Sequence, residues 1–300
     1  MSIVIVNPAS ASGSTGEAWP QIASDLRSQF GPFRALFTQY RGDAAALASE
    51  AARKGAKFII ACGGDGTISE VANGILSSGK DVELGILPSG TGGDFRRTLE
   101  IPSQSRAAAR VLRTGRTVRI DVGRVSFVDH EDTVAMRYFL GVASCGMSTE
   151  VIQRVKARRV SFAASLLQTA LRTVPIHLVV QLDDSQERRL VVSNLCVANA
   201  RYFGGGMKIA PDAKLTDGKF DIVGVGDLST LKLFTSAPKV YLGSHLSMPE
   251  VSHALARKIT VRPADRSAEI SLEVDGELPG KLPATFQIIP ETLRVRVNGS

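Results

Sequence analysis

Apolar residues in the first 120 positions come in short runs, Ile3 to Asn7, Phe33 to Thr38, Lys57 to Cys62 and Glu83 to Pro88. Runs this short and this apolar fit strands buried on both faces, as in a parallel sheet. Between them the apolar positions recur at helical spacing. One helix is predicted to start at Asp43 and end before Gly55, and another runs from Ser103 to Gly115. Alternating strand and helix spells a parallel α/β domain. From about Thr117 the pattern changes to alternating strands: Arg119 to Phe127, Arg137 to Ala143, His177 to Leu182, Leu190 to Ala198, the stretches around Ile259 and Ile270, and Leu293 to Val297. That predicts a mostly antiparallel second domain interrupted by helices around Thr149 to Arg172 and Ser229 to Tyr241.

Each predicted parallel strand is followed by small, polar or glycine residues: Asn7 to Gly13, Thr38, Gly63 to Thr67, and Ser89 to Asp94. Ligands of open parallel sheets bind beyond the carboxyl ends of the strands, so these four segments predict one binding edge. Glycines at 63, 64 and 66 suggest a turn with positive φ whose backbone N–H groups meet phosphate oxygens, and Thr67 with Glu70 suggests a capping box on the next helix. Two look-alikes fall away. Gly74 to Lys80 reads G-x-x-x-x-G-K, but Asp81 stands where Ser or Thr is required and the stretch ends a helix; no G-x-G-x-x-G follows the first strand.

Composition narrows the class. Three hundred residues, 44% apolar and 22% charged, suit two folded domains. The most apolar stretch, Leu166 to Leu182, is broken by Arg172, Pro175 and His177, so it falls short of the ~18 uncharged residues of a membrane span. No secretory leader is visible after Met1, which makes the cytoplasm the expected compartment. Cys62, Cys145 and Cys196 are too far apart for a zinc site or a disulfide framework and are expected to be buried. The net charge of +7 favours anionic partners without choosing among them.

The ordered set of NPxS at 7–10, GGDGT at 63–67, GILPSGTGGDFRRTL at 85–99 and DGE at 275–277 resembles the diacylglycerol kinase catalytic-domain family, which includes soluble bacterial lipid kinases and sphingosine kinases. The resemblance covers nearly the whole chain. It implies a Rossmann-like nucleotide-binding domain at 1–120, akin to NAD kinase and phosphofructokinase, and a β-sandwich at 121–290. It also implies that the last strand, 291–300, returns to the first domain, and that the active site lies between the two. The implied activity is transfer of the γ-phosphoryl group of ATP to a lipid hydroxyl, most simply that of diacylglycerol, with Mg²⁺. Asn7, Ser10, Thr38, Gly64, Asp65, Gly66, Thr67, Glu70, Thr91 and Asp94 would bind the nucleotide, with Asp65 and Asp94 acting through Mg²⁺ and Asp121 joining them. Glu277 and Asp275 are the candidate bases, with Asp65 as the third catalytic carboxylate. Lys214 and Lys219 carbonyls with Asp217 would form a structural cation site, unless Asp217-Gly218 is a plain hairpin turn.

Three departures from the family pattern stand out: Ala11 replaces a glycine, Gly93 replaces an asparagine, and the second-domain helix carries Lys156, Arg158, Arg159 and Phe162. With Arg154, this basic stretch suits a reversible contact with an anionic membrane surface. A solvated helix face explains it equally. The expected partners are thus ATP and a lipid met at the inner membrane face, without nucleic acid; a homodimer is allowed but not required. The alternatives are an NAD kinase-like kinase of a soluble acceptor and a catalytically silent lipid- or nucleotide-binding regulator.

Overall fold

The computed structural model describes residues 2–90, 92–150, 152, 174–227 and 230–299. The chain divides into two compact units, Met1–Val122 with Pro290–Ser300, and Gly123–Ile289.

In the first unit, strands β1 (Ser2–Val6), β2 (Phe33–Phe37), β3 (Phe58–Gly63) and β4 (Glu83–Pro88) pair in parallel in the order β2-β1-β3-β4. Their apolar runs are buried because helices cover the sheet: Val4, Ile5, Ile59, Ile60, Leu84 and Ile86 are inaccessible to solvent. The helices are α1 (Ser14–Gln29), α2 (Asp43–Arg53), α3 (Asp65–Ser77), α4 (Asp94–Thr98) and α5 (Ser105–Thr114). α2 packs on α3, and α1 on α5. Gly74 sits inside α3 where it faces α2. A Cβ there would lie 2.2 Å from the Ala45 carbonyl oxygen, so the glycine serves helix packing and not phosphate binding. Arg294 and Val295 pair in parallel with Glu83 and Leu84, adding the end of the chain to this sheet.

The second unit is a β-sandwich. One layer has the order β12 (Val251–Ala256), β11 (Phe220–Val225), β10 (Asn194–Ala198), β7 (Val142–Gly146), β14 (Ser271–Val274), then the start of β15 (Glu277–Val297). A later part of β15 pairs with β13 (Lys258–Pro263), which pairs with β8 (Ile176–Leu182) and through it with β9 (Arg188–Val192). β5 (Arg116–Asp129) and β6 (Val134–Phe139) pair with each other. Phe139, Phe220, Leu272, Val274 and Ile259 fill the core, with Phe139 stacked on Phe220 at 5.5 Å between ring centroids. A helix, α6 (Thr230–Leu242), follows β11.

The structure corrects several sequence expectations. The run from Arg137 to Ala143 is two strands separated at Leu140–Gly141, and that from Leu190 to Ala198 is two strands separated at Ser193. In each case the chain changes pairing partners at the break, which an unbroken alternation does not reveal. Beyond 149, 150 and 152, the helix expected over 149–172 lies outside the described residues, as do Arg154, Lys156, Arg158, Arg159 and Phe162. The three cysteines are buried thiols, as expected. Burial pushes Cys62 and Cys145 up to about 12 and holds Cys196 well above the usual thiol range.

Candidate active site

Because β1 to β4 are parallel, their carboxyl ends lie along one edge, and the side chains just beyond them are tied together there. Asn7 Nδ2 donates to Thr67 Oγ1 at 3.0 Å, joining the segment after β1 to the start of α3. Ser10 Oγ lies 2.6 Å from Thr15 Oγ1, and Thr15 Oγ1 lies 2.7 Å from Ser89 Oγ. Both Ser10 and Thr15 also donate to the Ser89 carbonyl at 3.0 Å. This hydroxyl cluster fixes the segment after β4 against the one after β1. Thr15 and Ser89 were not singled out from sequence; Thr15 reads there as an ordinary helix residue, and only the fold reveals that it is wholly buried. Thr38 is buried at the end of β2.

The glycine turn after β3 differs from the expected one. None of Gly63, Gly64 and Gly66 has positive φ. The constraint is close approach: a Cβ on Gly63 would lie 2.5 Å from Thr67 Oγ1, and one on Gly90 would lie 2.7 Å from the Gly64 Cα. A Cβ on Gly64 would meet nothing nearer than the Gly90 Cα at 3.9 Å, an ordinary contact, so the position has room for a side chain. The capping box is also absent. α3 begins at Asp65, Thr67 accepts the Asn7 amide, and Glu70 Oε1 instead accepts the Gly42 N–H at 3.1 Å, tying α3 to the segment after β2.

Asp65 links the two glycine segments. Its Oδ2 accepts the Asp94 N–H at 3.0 Å and its Oδ1 the Phe95 N–H at 3.1 Å. Asp94 in turn pairs with Arg97, whose Nη1 donates to Asp94 Oδ1 at 2.7 Å and to the Gly92 carbonyl at 2.6 Å. Arg97 lies within the motif at 85–99 but has no role assigned to it from sequence. Thr91, expected to contact the nucleotide, lies outside the described residues. Asp121 is 1% exposed, and its Oδ1 accepts the Glu291 N–H at 2.9 Å, so it is not a solvated strand-end carboxylate.

In the second unit, the turn between β14 and β15 carries Asp275-Gly276-Glu277. Asp275 is left-handed at φ 49, and Gly276 follows at φ 80, a conformation that suits glycine. The Asp275 carboxylate accepts two backbone hydrogen bonds, from Leu140 N–H at 3.0 Å and Gly141 N–H at 2.9 Å, exactly where β6 gives way to β7. Glu273 alternates with the buried Leu272 and Val274, which assigns it to the polar face, yet it is itself 3% exposed. Its Oε1 accepts the Gly276 N–H at 2.6 Å and its Oε2 is hydrogen-bonded to Ser144 Oγ.

Lys214, Asp217 and Lys219 are exposed on the segment before β11. Asp217 Oδ1 accepts the Lys219 N–H at 3.1 Å, and Gly218 is left-handed at φ 69. The strand before this turn, β10, ends at Ala198, so Asp217-Gly218 is not the tight turn of a two-residue hairpin. Nearby Asp221 has its pKa raised, first by burial; the hydrogen bond and charge of His253 oppose the rise, while Asp217 and Asp212 add to it. Among the described residues no group of three or more His, Cys, Asp and Glu side chains forms a metal cage.

Residues 1–125 match the profile of the diacylglycerol kinase catalytic domain, and residues 141–297 that of the YegS C-terminal NAD kinase beta sandwich-like domain. A diacylglycerol kinase of Mycobacterium tuberculosis is 33% identical over 232 residues, 73% of this chain and 71% of that protein. One from Staphylococcus haemolyticus is 30% identical over 265 residues, 86% and 77% of the two chains. In fold, the chain resembles a crystal structure of a candidate diacylglycerol kinase from Bacillus anthracis, with a TM-score of 0.78 at 23% identity, over 99% of this chain and 97% of that one. With both units matched and relatives similar across most of their length, the chain belongs to the diacylglycerol kinase family and is a kinase that transfers a phosphoryl group to a hydroxyl.

Proposed function

We propose that the protein is an ATP-dependent lipid kinase that phosphorylates diacylglycerol to phosphatidic acid at the cytoplasmic face of a membrane. The observation that carries this reading is the edge where four parallel strands end, which carries Asn7, Ser10, Thr38, Thr67, Glu70 and a Gly64 backbone with room for a side chain. In this reading that edge, with Gly66 and Thr91, binds the nucleotide. Asp65 orders the Gly92–Phe95 segment through the Asp94 and Phe95 amides, and Arg97 fixes Asp94. Asp65 and Asp94 hold Mg²⁺ through water, and the ion when bound neutralises phosphate charge. Lys214 and Lys219 carbonyls with Asp217 hold a second, structural cation.

Phosphoryl transfer needs a carboxylate to accept the hydroxyl proton as the new bond forms. Asp275 and Glu277 are both candidates from sequence, and the backbone bonds to Asp275 support Glu277 as the proton acceptor. With both oxygens accepting backbone N–H groups, the Asp275 carboxylate shapes the turn, which leaves proton acceptance to Glu277.

The test is radiolabelled ATP with a panel of lipids in mixed micelles. Glu277→Gln should lower kcat by about 10²- to 10⁴-fold with ATP affinity and melting temperature unchanged. Asp275→Asn should lower the melting temperature as well, because the amide NH2 then faces one of the two backbone donors with no acceptor for it. Gly64→Val, on a backbone any residue tolerates, should weaken ATP binding in calorimetry without unfolding. Parental turnover in Glu277→Gln with chemistry rate-limiting rejects it as the base, and full ATP affinity in Gly64→Val rejects the nucleotide edge.

A further inference from the structure

A chain of polar side chains runs through the buried interior of the sandwich, from β10 to β14. Asn194 Oδ1 lies 2.8 Å from Ser148 Oγ, Ser148 Oγ lies 2.7 Å from Ser144 Oγ, and Ser144 Oγ is bonded to Glu273 Oε2. The four residues are 4%, 5%, 2% and 3% exposed, respectively. Each oxygen–oxygen contact needs one hydrogen. The Asn194 oxygen brings none: it also accepts the Ser148 backbone N–H at 3.0 Å, which fixes that face of the amide as the carbonyl. The amide's other face donates to Cys196 Sγ at 3.1 Å. The two serines supply two hydrogens for three contacts. The third must sit on Glu273.

We propose that Glu273 is held as a neutral carboxylic acid and positions the Asp275-Gly276-Glu277 turn through its bond from the Gly276 N–H. The positioning role rests on the reading of Glu277 as proton acceptor; the protonation state does not. Burial favours the same state, because a carboxyl group removed from water resists ionisation. Its titratable neighbours include the Cys196 thiol on β10, and Asp275 and Glu277 on its own turn. The turn is thereby gripped at two consecutive residues: Asp275 by the Leu140 and Gly141 amides, and Gly276 by Glu273. Glu277 is the next residue along. Holding Glu273 neutral ties the turn to the core without adding a third negative charge beside Asp275 and Glu277. Glu273 is a positioning residue, since it acts on the reacting groups through the backbone of the turn.

Glutamine reproduces a protonated glutamate here, with its carbonyl for the Gly276 N–H and its amide for Ser144 Oγ, whereas leucine matches the bulk and removes both bonds. In protein labelled with ¹³C at the glutamate carboxyls, one resonance should keep the neutral-acid position through neutral pH and be missing from Glu273→Gln. With ATP and a short-chain diacylglycerol in mixed micelles, Glu273→Gln should keep kcat within a few-fold of the parent. Glu273→Leu should lower kcat by about 10²-fold, the cost of a misplacement of about 1 Å, with KM for ATP unchanged. A Glu273 resonance at the carboxylate position, or a Glu273→Gln loss as large as that of Glu273→Leu, overturns the proposal. So does a parental rate in Glu273→Leu. If Glu273→Leu does not fold, the resonance and the glutamine variant still decide. Parental turnover in Glu277→Gln overturns the proton-acceptor reading and the positioning role with it, while the Glu273 resonance judges the protonation state on its own.

Discussion

At the residue scale, the departures from the family pattern have a backbone explanation. Gly93, in the place of an asparagine, is left-handed at φ 69, and asparagine is among the few side chains that visit this region readily, so the exchange preserves the turn. Ala11, in the place of a glycine, is also left-handed, at φ 51 and ψ 42, followed by Ser12 at φ 58 and Gly13 at φ 96. Here the side chain opposes the backbone, at about 1–2 kcal/mol for an L-residue in this region. Ala11→Gly removes that strain but enlarges the conformational freedom of the unfolded chain, which offsets about 0.4–1 kcal/mol. The variant should therefore be more stable by up to about 1.5 kcal/mol, seen as a higher urea midpoint at unchanged slope. A lower midpoint would show that Ala11 makes contacts worth more than its strain. The same scale marks a limit of the sequence. Asp275 stands out as a carboxylate beside a glycine, yet its partners are amides 135 and 134 positions away, and no local pattern reports a backbone donor. Glu273 was misplaced for the same reason: alternation assigns it to the polar face, and its burial becomes intelligible only once Ser144 and Gly276 are found beside it.

At the element scale, legibility follows how local each strand's surroundings are. β1, β3 and β4 are covered on both faces, so their apolar runs stand out, and β4 begins and ends at the expected residues, Glu83 and Pro88. β15 is the opposite case. It runs unbroken from Glu277 to Val297, but its partners change from β14 to β13 to β4, so its burial pattern shifts along its length and only the end reads as a strand. That end is fastened by Arg296. Its Nε and Nη2 donate to Glu83 Oε1 and Oε2 at 2.6 and 3.2 Å, and its guanidinium lies 5.1 Å from the centre of the Phe58 ring. Thr117 Oγ1 also donates to Glu83, at 2.7 Å. Burial by itself would raise the Glu83 pKa; the bonds from Arg296 and Thr117 and the charges of Arg296 and Arg294 outweigh it and leave the pKa lowered. A carboxylate whose folded pKa is depressed stabilises the fold above its unfolded pKa, and that stability is lost as pH falls through the folded value. Glu83→Gln should therefore cost about 1.5–3 kcal/mol near neutral pH, the usual worth of a hydrogen bond to a charged group, and the gap to the parent should close below about pH 4.3. Urea unfolding of both chains across this range measures it, and a gap independent of pH would mean that the pair acts through packing alone.

At the scale of the whole molecule, the proposed lipid acceptor sets a problem that the fold must solve. Diacylglycerol stays in the bilayer, while no described helix is long and apolar enough to cross one. In the proposed reading the enzyme reaches this acceptor from the surface, which calls for an attraction that is weak per residue and spread over several. The chain carries 36 basic against 29 acidic residues, and Arg154, Lys156, Arg158 and Arg159 concentrate four of the basic ones within six positions. Near an anionic surface each such residue contributes about 1 kcal/mol, an effect that fades within a Debye length of about 8–10 Å at moderate salt. Four together amount to about 4 kcal/mol, or about 10³-fold in partitioning if all meet headgroups at once. Changing all four to Gln should lower co-sedimentation with phosphatidylserine-containing vesicles by up to that factor, and raising the salt should do the same to the parent chain. Turnover of a short-chain diacylglycerol in neutral detergent micelles should be unaffected, because the charges then have no anionic surface to meet. The four-fold variant thus separates recruitment from chemistry. Vesicle binding indifferent both to salt and to the four changes would leave this stretch as an ordinary solvated face and move the search for the membrane contact elsewhere in the molecule.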